Sequence, residues 1–331
     1  QAQGRSSYDD SWAGKGEPLA VSDAHRGVDS VHEDLDCPCD LRHNRLVNLA
    51  EGSDLARAQA DTDFFDDAPA GDPDGLDGID AHAGKISPLS IRVFGRPQLS
   101  QHPLFKDGAI EIQDEGSQMV AALVDAKSGM KVIDFCAGAG GKTLAIAAQM
   151  KNKGRILAWD TSEKRLTQIK DRLKRAGVDN AQLHVLESEN DSFIKRHKSS
   201  ADRVLVDAPC SGTGTWRRNP DLKWRFTAKD LQEVCALQET ILQSAARLVA
   251  PGGRLVYATC SILIRENEMQ VEKFLKSNGN FRVVCAKKIW NNVCTGNTTD
   301  DENQDAVSYL SVAPHQDGVD GFFAAVLERV A

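Results

Sequence analysis

The chain has 331 residues, of which 41% are hydrophobic and 27% are charged, and it carries a formal net charge of −8 at pH 7. This composition is typical of a globular protein with one large domain or two ordinary ones, and no apolar run is long enough to predict a membrane span. Eight scattered cysteines without a secretory signal favour free thiols in a reducing cytoplasm and disfavour a disulfide framework as the basis of the fold.

The acidic excess lies on the N-terminal side of the chain. Residues 1–90 carry 19 acidic and 7 basic side chains, whereas residues 91–331 carry 29 acidic and 33 basic ones. The overall negative charge therefore does not exclude a nucleic-acid partner for the larger C-terminal part.

The N-terminal third gives weak structural signals. The sequence starts at Gln1 and not at Met, as is expected of a fragment or a processed form. Residues 1–34 lack clear periodicity and are predicted to be disordered or loosely ordered. Residues 35–104 are predicted to form a small α+β region, in which apolar stretches at 41–49 and 89–94 lie on either side of an Asp- and Gly-rich loop.

Residues 105–331 show short apolar runs that alternate with helical stretches. This alternation predicts an α/β domain with a mainly parallel sheet and helices on both faces, and the near-continuous apolar strands agree with burial on both sides. The predicted strands are 131–135, 155–159, 181–186, 203–206, 254–258 and 281–284, and the predicted helices are 115–124, 142–150, 163–176, 228–248 and 265–277.

A glycine-rich turn joins a strand to a helix in residues 132–143, VIDFCAGAGGKT. Glycines allow tight turns, and a helix N-terminus offers free N–H groups to a ligand. A phosphate-binding loop needs glycine where this chain has Cys136, which disfavours a nucleotide-hydrolysing enzyme. A nucleoside-bearing cofactor is favoured, because Asp160 ends the next strand, where an acid holds ribose hydroxyls. These features do not separate a dinucleotide from S-adenosylmethionine.

Two cysteines follow predicted strands in similar contexts. Cys210 lies in VDAPCSGTG, three residues after Asp207, and Cys260 lies in LVYATCS. Because the carboxyl ends of parallel strands meet at one sheet edge, we expect these side chains to gather beside the cofactor. Inert buried thiols are the alternative. A reactive thiolate beside a methyl donor suits methylation of pyrimidine carbon 5, which becomes nucleophilic after a thiolate adds at carbon 6.

The motifs DFCAGAGGKT, DAPCSGTG, RRNPDLKWR and YATCS resemble those of the RNA cytosine-5 methyltransferases, and in particular the bacterial Sun or RsmB-like group that modifies small-subunit ribosomal RNA. The resemblance covers roughly residues 105–329 and includes IQDEGSQ and DGFF. It implies a Rossmann-like S-adenosylmethionine-dependent methyltransferase domain over 105–331. It also implies that Cys260 is the nucleophile, that Cys210 assists product release and that Asp207 contacts the cytosine ring.

The same resemblance implies that S-adenosylmethionine is the cofactor. Glu187 is chosen from LESEND (186–191), a stretch that departs from the aspartate usual in the family after the third strand. The expected cofactor-binding residues are Cys136, Ala137, Gly138, Ala139, Gly140, Gly141, Lys142, Asp160, Arg165, Glu187 and Asp207.

RNA is the partner that the resemblance implies, with ribosomal RNA preferred and transfer RNA as the alternative. A noncatalytic RNA-binding or ribosome-assembly protein with the same fold is the rival hypothesis, which the intact aspartate and two cysteines disfavour. The expected RNA contacts are Arg217, Arg218 and Lys223, from a loop that also holds two indoles, and Arg42 in DLRHNRL of the N-terminal region. No metal site and no obligate protein partner are predicted.

Overall fold

The computed structural model describes residues 45–49, 76, 78–295 and 309–330, with the backbone alone at 45–49 and 295. The segment 1–34, predicted to be disordered, lies outside the described residues, as does the start of the first apolar stretch. None of the described helices is both long enough and apolar enough to cross a bilayer.

The first described strands form a small antiparallel sheet in the order β2-β3-β1-β4. Its core is apolar, and Ile91, Val93 and Ile110 are fully buried in it. The last strand of this sheet lies beyond residue 104, so the sheet includes residues on both sides of the predicted boundary between the N-terminal region and the main domain. The boundary itself stays a prediction. The elements are β1 (Arg45–Leu49), β2 (Ala81–Ala83), β3 (Ser90–Val93), α1 (Pro103–Lys106) and β4 (Ile110–Ile112).

Among the described residues the main sheet has eight strands, with a path in the order β10-β12-β9-β8-β5-β6-β7 and β11 paired to β12. Strands β5 to β9 are parallel to their neighbours, whereas β12 runs antiparallel to both β9 and β10. The strands are β5 (Lys131–Asp134), β6 (Arg155–Asp160), β7 (Ala181–Val185), β8 (Ala201–Asp207), β9 (Val249–Thr259), β10 (Phe281–Val284), β11 (Leu310–Val312) and β12 (Phe322–Arg329).

Helices cover both faces of this sheet, as predicted. Within β8, Val204 and Val206 pack on one face of the sheet against the helix Ala228–Ala246. Leu205 packs on the other face with the helices Glu115–Ala122 and Gly141–Gln149. The helices are α2 (Glu115–Ala122), α3 (Gly141–Gln149), α4 (Glu163–Arg175), α5 (Ser192–Lys195), α6 (Leu222–Arg225), α7 (Ala228–Ala246), α8 (Glu268–Ser277), α9 (Ala286–Thr295) and α10 (Pro314–Asp317).

The predicted strands and helices of this region are all present, with shifted ends. The largest shifts are that β9 begins at Val249, before the predicted 254, and that α8 begins at Glu268, after the predicted 265. The side chains of Thr227 and Asp230 form a capping box that fixes the start of α7. The sequence did not predict β11, β12 or α9.

A buried carboxylate joins the small sheet to the main domain. Glu115, in the first turn of α2, accepts hydrogen bonds from the Ile86 N–H (3.0 Å), the Ser90 hydroxyl (2.5 Å) and the Arg92 guanidinium (2.6 Å). Burial opposes ionisation, but the bonds from Ser90 and Arg92 outweigh it and lower the pKa of Glu115. This ion pair therefore fixes α2 against β3.

Candidate active site

The glycine loop follows β5 and leads into α3, as predicted. Gly138 and Gly140 have φ values of 56° and 87°, in the left-handed region that favours glycine. A Cβ on Gly140 would lie 2.9 Å from the side chain of Ile169 in α4, so space as well as conformation requires glycine there. At Gly138 no atom of the described chain lies within 4 Å of the same point, so the loop is open to a ligand at that residue.

Asp160 ends β6 and braces this loop. Its carboxylate accepts a hydrogen bond from the Gly138 N–H (2.9 Å) and another from the Ser162 N–H (2.8 Å). The Ala137 N–H donates to the Trp159 carbonyl at 2.8 Å, which fixes the loop to the same strand. A carboxylate has about four acceptor positions, so Asp160 keeps capacity for ribose hydroxyls.

Asp134, at the end of β5, is a fully buried acid beneath the loop. Its Oδ2 accepts a hydrogen bond from the Thr143 hydroxyl at 2.7 Å, whereas its Oδ1 has no hydrogen-bond partner among the described residues. Burial raises the pKa of this carboxyl to about 7. The unsatisfied oxygen gives the site an acceptor for a donor from outside the chain.

Lys142 connects the glycine loop to the end of β8. Its Nζ lies 2.7 Å from Oδ2 of Asp207 and 5.4 Å from the centre of the Phe322 ring. Burial opposes the charge, but the Asp207 carboxylate outweighs it and raises the pKa of Lys142. The ammonium, which was expected beside the cofactor, is therefore a charged partner of Asp207.

The two thiols meet at this edge of the sheet. Sγ of Cys210 lies 3.3 Å from Sγ of Cys260, and both cysteines are free. The hydrogen bond from Cys210 lowers the pKa of Cys260 against the effect of burial, and the Lys142 charge acts in the same direction. The same contact and burial raise the pKa of Cys210. Of the two thiols, Cys260 is therefore the one that ionises more readily.

Two glycines let the loops at this edge approach closely. The Gly214 N–H donates to the Cys260 carbonyl at 3.0 Å, and the Gly321 N–H donates to the Gly214 carbonyl at 2.9 Å. A Cβ on Gly214 would lie 2.2 Å from the Gly321 carbonyl oxygen, which leaves no room for a side chain. The last motif, DGFF, thus contacts the loop that carries Cys210.

Arg217 and Arg218, which were expected to contact RNA, both pair with the carboxylate of Asp320, and Arg218 stays exposed. Nε of Arg217 lies 2.9 Å from Oδ1 of Asp320, and Arg218 pairs with the other oxygen of this fully buried carboxylate. Arg217 also lies 3.6 Å from Asp114, the residue that caps α2. These pairs anchor the loop after Cys210.

Other expected site residues are exposed. Lys223 lies on the surface of α6 beside Trp224, whose 83% exposure is the largest among the large hydrophobic side chains that the structure describes. Arg165 lies in the first turn of α4, and Glu187 follows β7 at the same sheet edge as the glycine loop. The expected contact Arg42 lies outside the described residues.

Comparison with known proteins identifies the family. The model of the 16S rRNA methyltransferases RsmB/F matches residues 121–328. Ribosomal RNA small subunit methyltransferase B of Pasteurella multocida is 34% identical over 256 residues, which are 76% of this chain and 54% of that protein. The chain belongs to the RsmB/F family.

Two further proteins extend this RsmB/F match. The probable ribosomal RNA small subunit methyltransferase B of Bacillus subtilis is 31% identical over 266 residues, which are 76% of this chain and 55% of that protein. The chain thus spans about half the length of the curated relatives it matches. The solved structure of NSun6 from Pyrococcus horikoshii with SFG, an S-adenosylmethionine analogue, has a TM-score of 0.61 and 28% identity, and the match covers 73% of this chain and 60% of that one. The expected family and the Rossmann-like S-adenosylmethionine-dependent methyltransferase fold are confirmed.

Four residues of this RsmB/F site were not predicted. The sequence contained a signal for Asp134, because this residue directly precedes the glycine loop at the end of a predicted strand. Ser211 and Ser261 also had one, because each follows a cysteine in the paired motifs. Glu266 had none, since it was assigned to a predicted helix, whereas the structure places it in the turn before α8.

Proposed function

We propose that this protein methylates carbon 5 of cytosine in RNA, ribosomal RNA in the first place, through a covalent intermediate on Cys260 with S-adenosylmethionine as the methyl donor. The observation that carries the proposal is the pair of thiols 3.3 Å apart beside Asp207, at the same sheet edge as the glycine loop. Membership of the RsmB/F family supports the substrate class.

The residues at the glycine loop fit S-adenosylmethionine. Gly138 leaves open space for a close approach, Asp160 offers acceptors for ribose hydroxyls, and the unsatisfied oxygen of Asp134 suits a donor such as the ligand's ammonium group. Glu187 and Arg165 are proposed at the rim of the same site. When bound, the cofactor supplies an electrophilic methyl group on a sulfonium.

Cys260 starts the reaction. Its thiolate adds to carbon 6 of cytosine, and the electron pair of the 5,6 double bond makes carbon 5 nucleophilic towards the methyl group. The hydrogen bond from Cys210 lowers the pKa of this sulfur and so favours the thiolate that the addition requires.

Asp207 acts on the base. One of its oxygens binds Lys142, and the other is left for the cytosine ring, where a carboxylate stabilises a proton that nitrogen 3 takes up from water during the addition and releases to water when the sulfur leaves. Lys142 holds this carboxylate in place. After methyl transfer a base removes the proton from carbon 5, and the electron pair left behind expels the Cys260 sulfur from carbon 6.

Cys210 assists this last step through the contact that is already present. The leaving sulfur of Cys260 regains its negative charge, and the S–H of Cys210 stabilises that charge at a distance of 3.3 Å. Without that donor the adduct is released slowly. One thiol therefore forms the covalent bond, and the other helps to break it.

The RNA is proposed to cross the surface beside Cys210. Lys223 offers a cation to a phosphate, and the exposed ring of Trp224 offers a face on which a base can stack. Arg218, with 55% of its side chain exposed, can meet a phosphate while it keeps its bond to Asp320. Arg217 is proposed to hold the loop, and Arg42 stays a prediction.

Trapping of the adduct tests this function. We expect the Cys210→Ala variant, incubated with S-adenosylmethionine and ribosomal RNA, to give a protein–RNA band that survives denaturing electrophoresis. The Cys260→Ala variant is the matched control and should give no band. An adduct that requires Cys210 would reverse the roles of the two cysteines, and the absence of any adduct in both variants with active wild-type protein would refute the covalent route. A transfer RNA lane distinguishes the two substrate classes.

A further inference from the structure

One buried carboxylate bonds to both cysteine-bearing turns. Glu266 is fully buried, and its Oε1 accepts hydrogen bonds from the Ser211 N–H (2.8 Å) and the Gln238 side-chain amide (3.0 Å). Its Oε2 accepts from the hydroxyls of Ser211 and Ser261, each at 2.5 Å. All four donors point at one group, and three of them belong to Ser211 and Ser261, which directly follow Cys210 and Cys260.

Further bonds extend this cluster around the thiols. The Gln238 amide also donates to the Pro209 carbonyl at 2.9 Å, so the turn before Cys210 is held to α7. The hydroxyls of Thr213 and Ser261 lie 3.0 Å apart, and the backbone carbonyl of Glu266 accepts a hydrogen bond from the Tyr257 hydroxyl at 2.5 Å. The carboxylate is therefore a fixed point with satisfied acceptors, and not a group free to shift.

We propose that Glu266 is a positioning residue that holds the two cysteine-bearing turns together and so sets the distance between the two sulfur atoms. This inference rests on the proposed function, in which Cys210 stabilises the sulfur of Cys260. Glu266 itself makes no hydrogen bond to either thiol and acts through Ser211 and Ser261.

The negative charge of Glu266 and its hydrogen bonds affect the pKa values of the thiols differently, so the geometric role can be tested. A negative charge near a thiol raises the thiol's pKa, and Glu266 has this effect on Cys210. Removal of the charge alone would therefore lower the pKa of Cys210 and speed its alkylation, without slowing that of Cys260. Removal of the clamp lets the sulfur atoms separate, which deprives Cys260 of its main stabilising hydrogen bond and raises its pKa. Only the geometric role therefore predicts slower alkylation of Cys260.

Alkylation by iodoacetamide measures this sign without any RNA. We expect the Cys260-containing peptide of the Glu266→Ala variant, followed by mass spectrometry across a pH series, to react about tenfold more slowly near neutral pH, because loss of the hydrogen bond from Cys210 raises the pKa of Cys260 and lowers its thiolate fraction. Glu266→Gln keeps one acceptor oxygen and the side-chain volume, and should recover most of the lost rate. The turnover number for methyl transfer should fall with the alkylation rate, while the KM for S-adenosylmethionine stays unchanged.

Glu115→Gln is the matched control, because Glu115 is another fully buried, multiply hydrogen-bonded carboxylate that contacts neither cysteine turn. If Glu266→Ala does not fold, the Ser211→Ala/Ser261→Ala double variant removes two of the four bonds and should also slow alkylation. An unchanged or faster rate at Cys260 in folded variants, or an equal slowing in Glu115→Gln, overturns the proposal. Failure of the wild-type protein to methylate RNA would refute the proposed function alone, since the alkylation comparison needs no substrate.

Discussion

Replacement of Gly140 by alanine separates two reasons why the glycine loop needs glycine. The residue has φ of 87° and caps α3, and an added Cβ would lie 2.9 Å from Ile169, which is fully buried. The left-handed backbone costs an alanine about 1–2 kcal/mol. Overpacking of the kind that the contact with Ile169 produces costs about 1–3 kcal/mol. We therefore expect Gly140→Ala to lower the free energy of unfolding by about 2–5 kcal/mol.

Gly129 supplies the control, because its φ of 89° is nearly the same while no atom of the described residues lies within 4 Å of its Cβ position. Gly129→Ala should lose only the backbone part, about 1–2 kcal/mol. Urea denaturation of both variants measures the difference between their free energies of unfolding. Calorimetric titration should show weaker S-adenosylmethionine binding in Gly140→Ala but not in Gly129→Ala, because Gly129 lies before β5, at the end of the strand away from the glycine loop.

A third variant isolates the contact. Adding Ile169→Ala to Gly140→Ala removes the atoms that the new methyl group meets. The double variant should therefore lose less free energy of unfolding than the two single variants lose together, by at least about 0.5 kcal/mol. Equal losses in Gly140→Ala and Gly129→Ala, within about 0.5 kcal/mol, would refute the argument from space and leave the backbone conformation as the sole reason for the glycine.

Three further predictions concern stability, pH and RNA binding. Arg92→Ala leaves Glu115 buried without its cation and should lower the free energy of unfolding by about 3–5 kcal/mol at neutral pH. Because the pKa of Glu115 is lowered in the folded state, the stability it contributes is lost as the pH falls, and the difference between wild type and variant in urea denaturation should shrink below the ordinary value of 4.5. The pKa of Asp134 is raised from 3.8 to about 7 in the folded state, so the folded protein binds this proton more tightly than the unfolded chain does. The ligand-free wild type should therefore lose stability relative to Asp134→Asn as the pH rises between these two values. Melting temperatures of the two proteins that run parallel from pH 4 to pH 7 would contradict this. Trp224→Ala should raise the KM for RNA by a factor that corresponds to about 1–3 kcal/mol, with an unchanged turnover number, because one stacked base is lost. Trp224→Phe keeps an aromatic ring and should keep most of the affinity. Equal kinetics in the wild type and both variants would exclude stacking on this ring.

The sequence predicts most of the main domain because its signals are local. Short β-branched runs and the glycine turn each specify their element without help from distant contacts, and they are found as expected. The strand β12 was missed because FFAAVLER combines alanine with residues that favour helices, and it is a strand only because it pairs between β9 and β10. Its pairing is a tertiary effect that local propensity does not report.

The expected site residues divide along the same line. The sequence pointed to Asp160, Asp207 and both cysteines, since each follows a strand of a parallel sheet and the sheet edge brings them together. It ranked Arg217 above Trp224 as an RNA contact, because a cation in a loop suggests phosphate binding. The structure shows the arginine engaged by the buried Asp320 and leaves the tryptophan exposed. A partner 103 residues away along the chain could not be inferred from the loop itself.

The different roles of the two thiols arise from their surroundings and not from their motifs. Both cysteines follow a strand and precede a serine, so the sequence alone offers no reason for one to ionise before the other. In the folded chain the hydrogen bond between the two sulfur atoms is the first cause of both shifts, since it lowers the pKa of Cys260 and raises the pKa of Cys210. Charged residues outside the motifs modify this difference. The Asp207 carboxylate raises the pKa of Cys260 and the Lys142 cation lowers it, whereas the Glu266 carboxylate raises the pKa of Cys210. The easier ionisation of Cys260 therefore depends on the contact between the sulfur atoms, which the fold creates and the motifs alone do not specify.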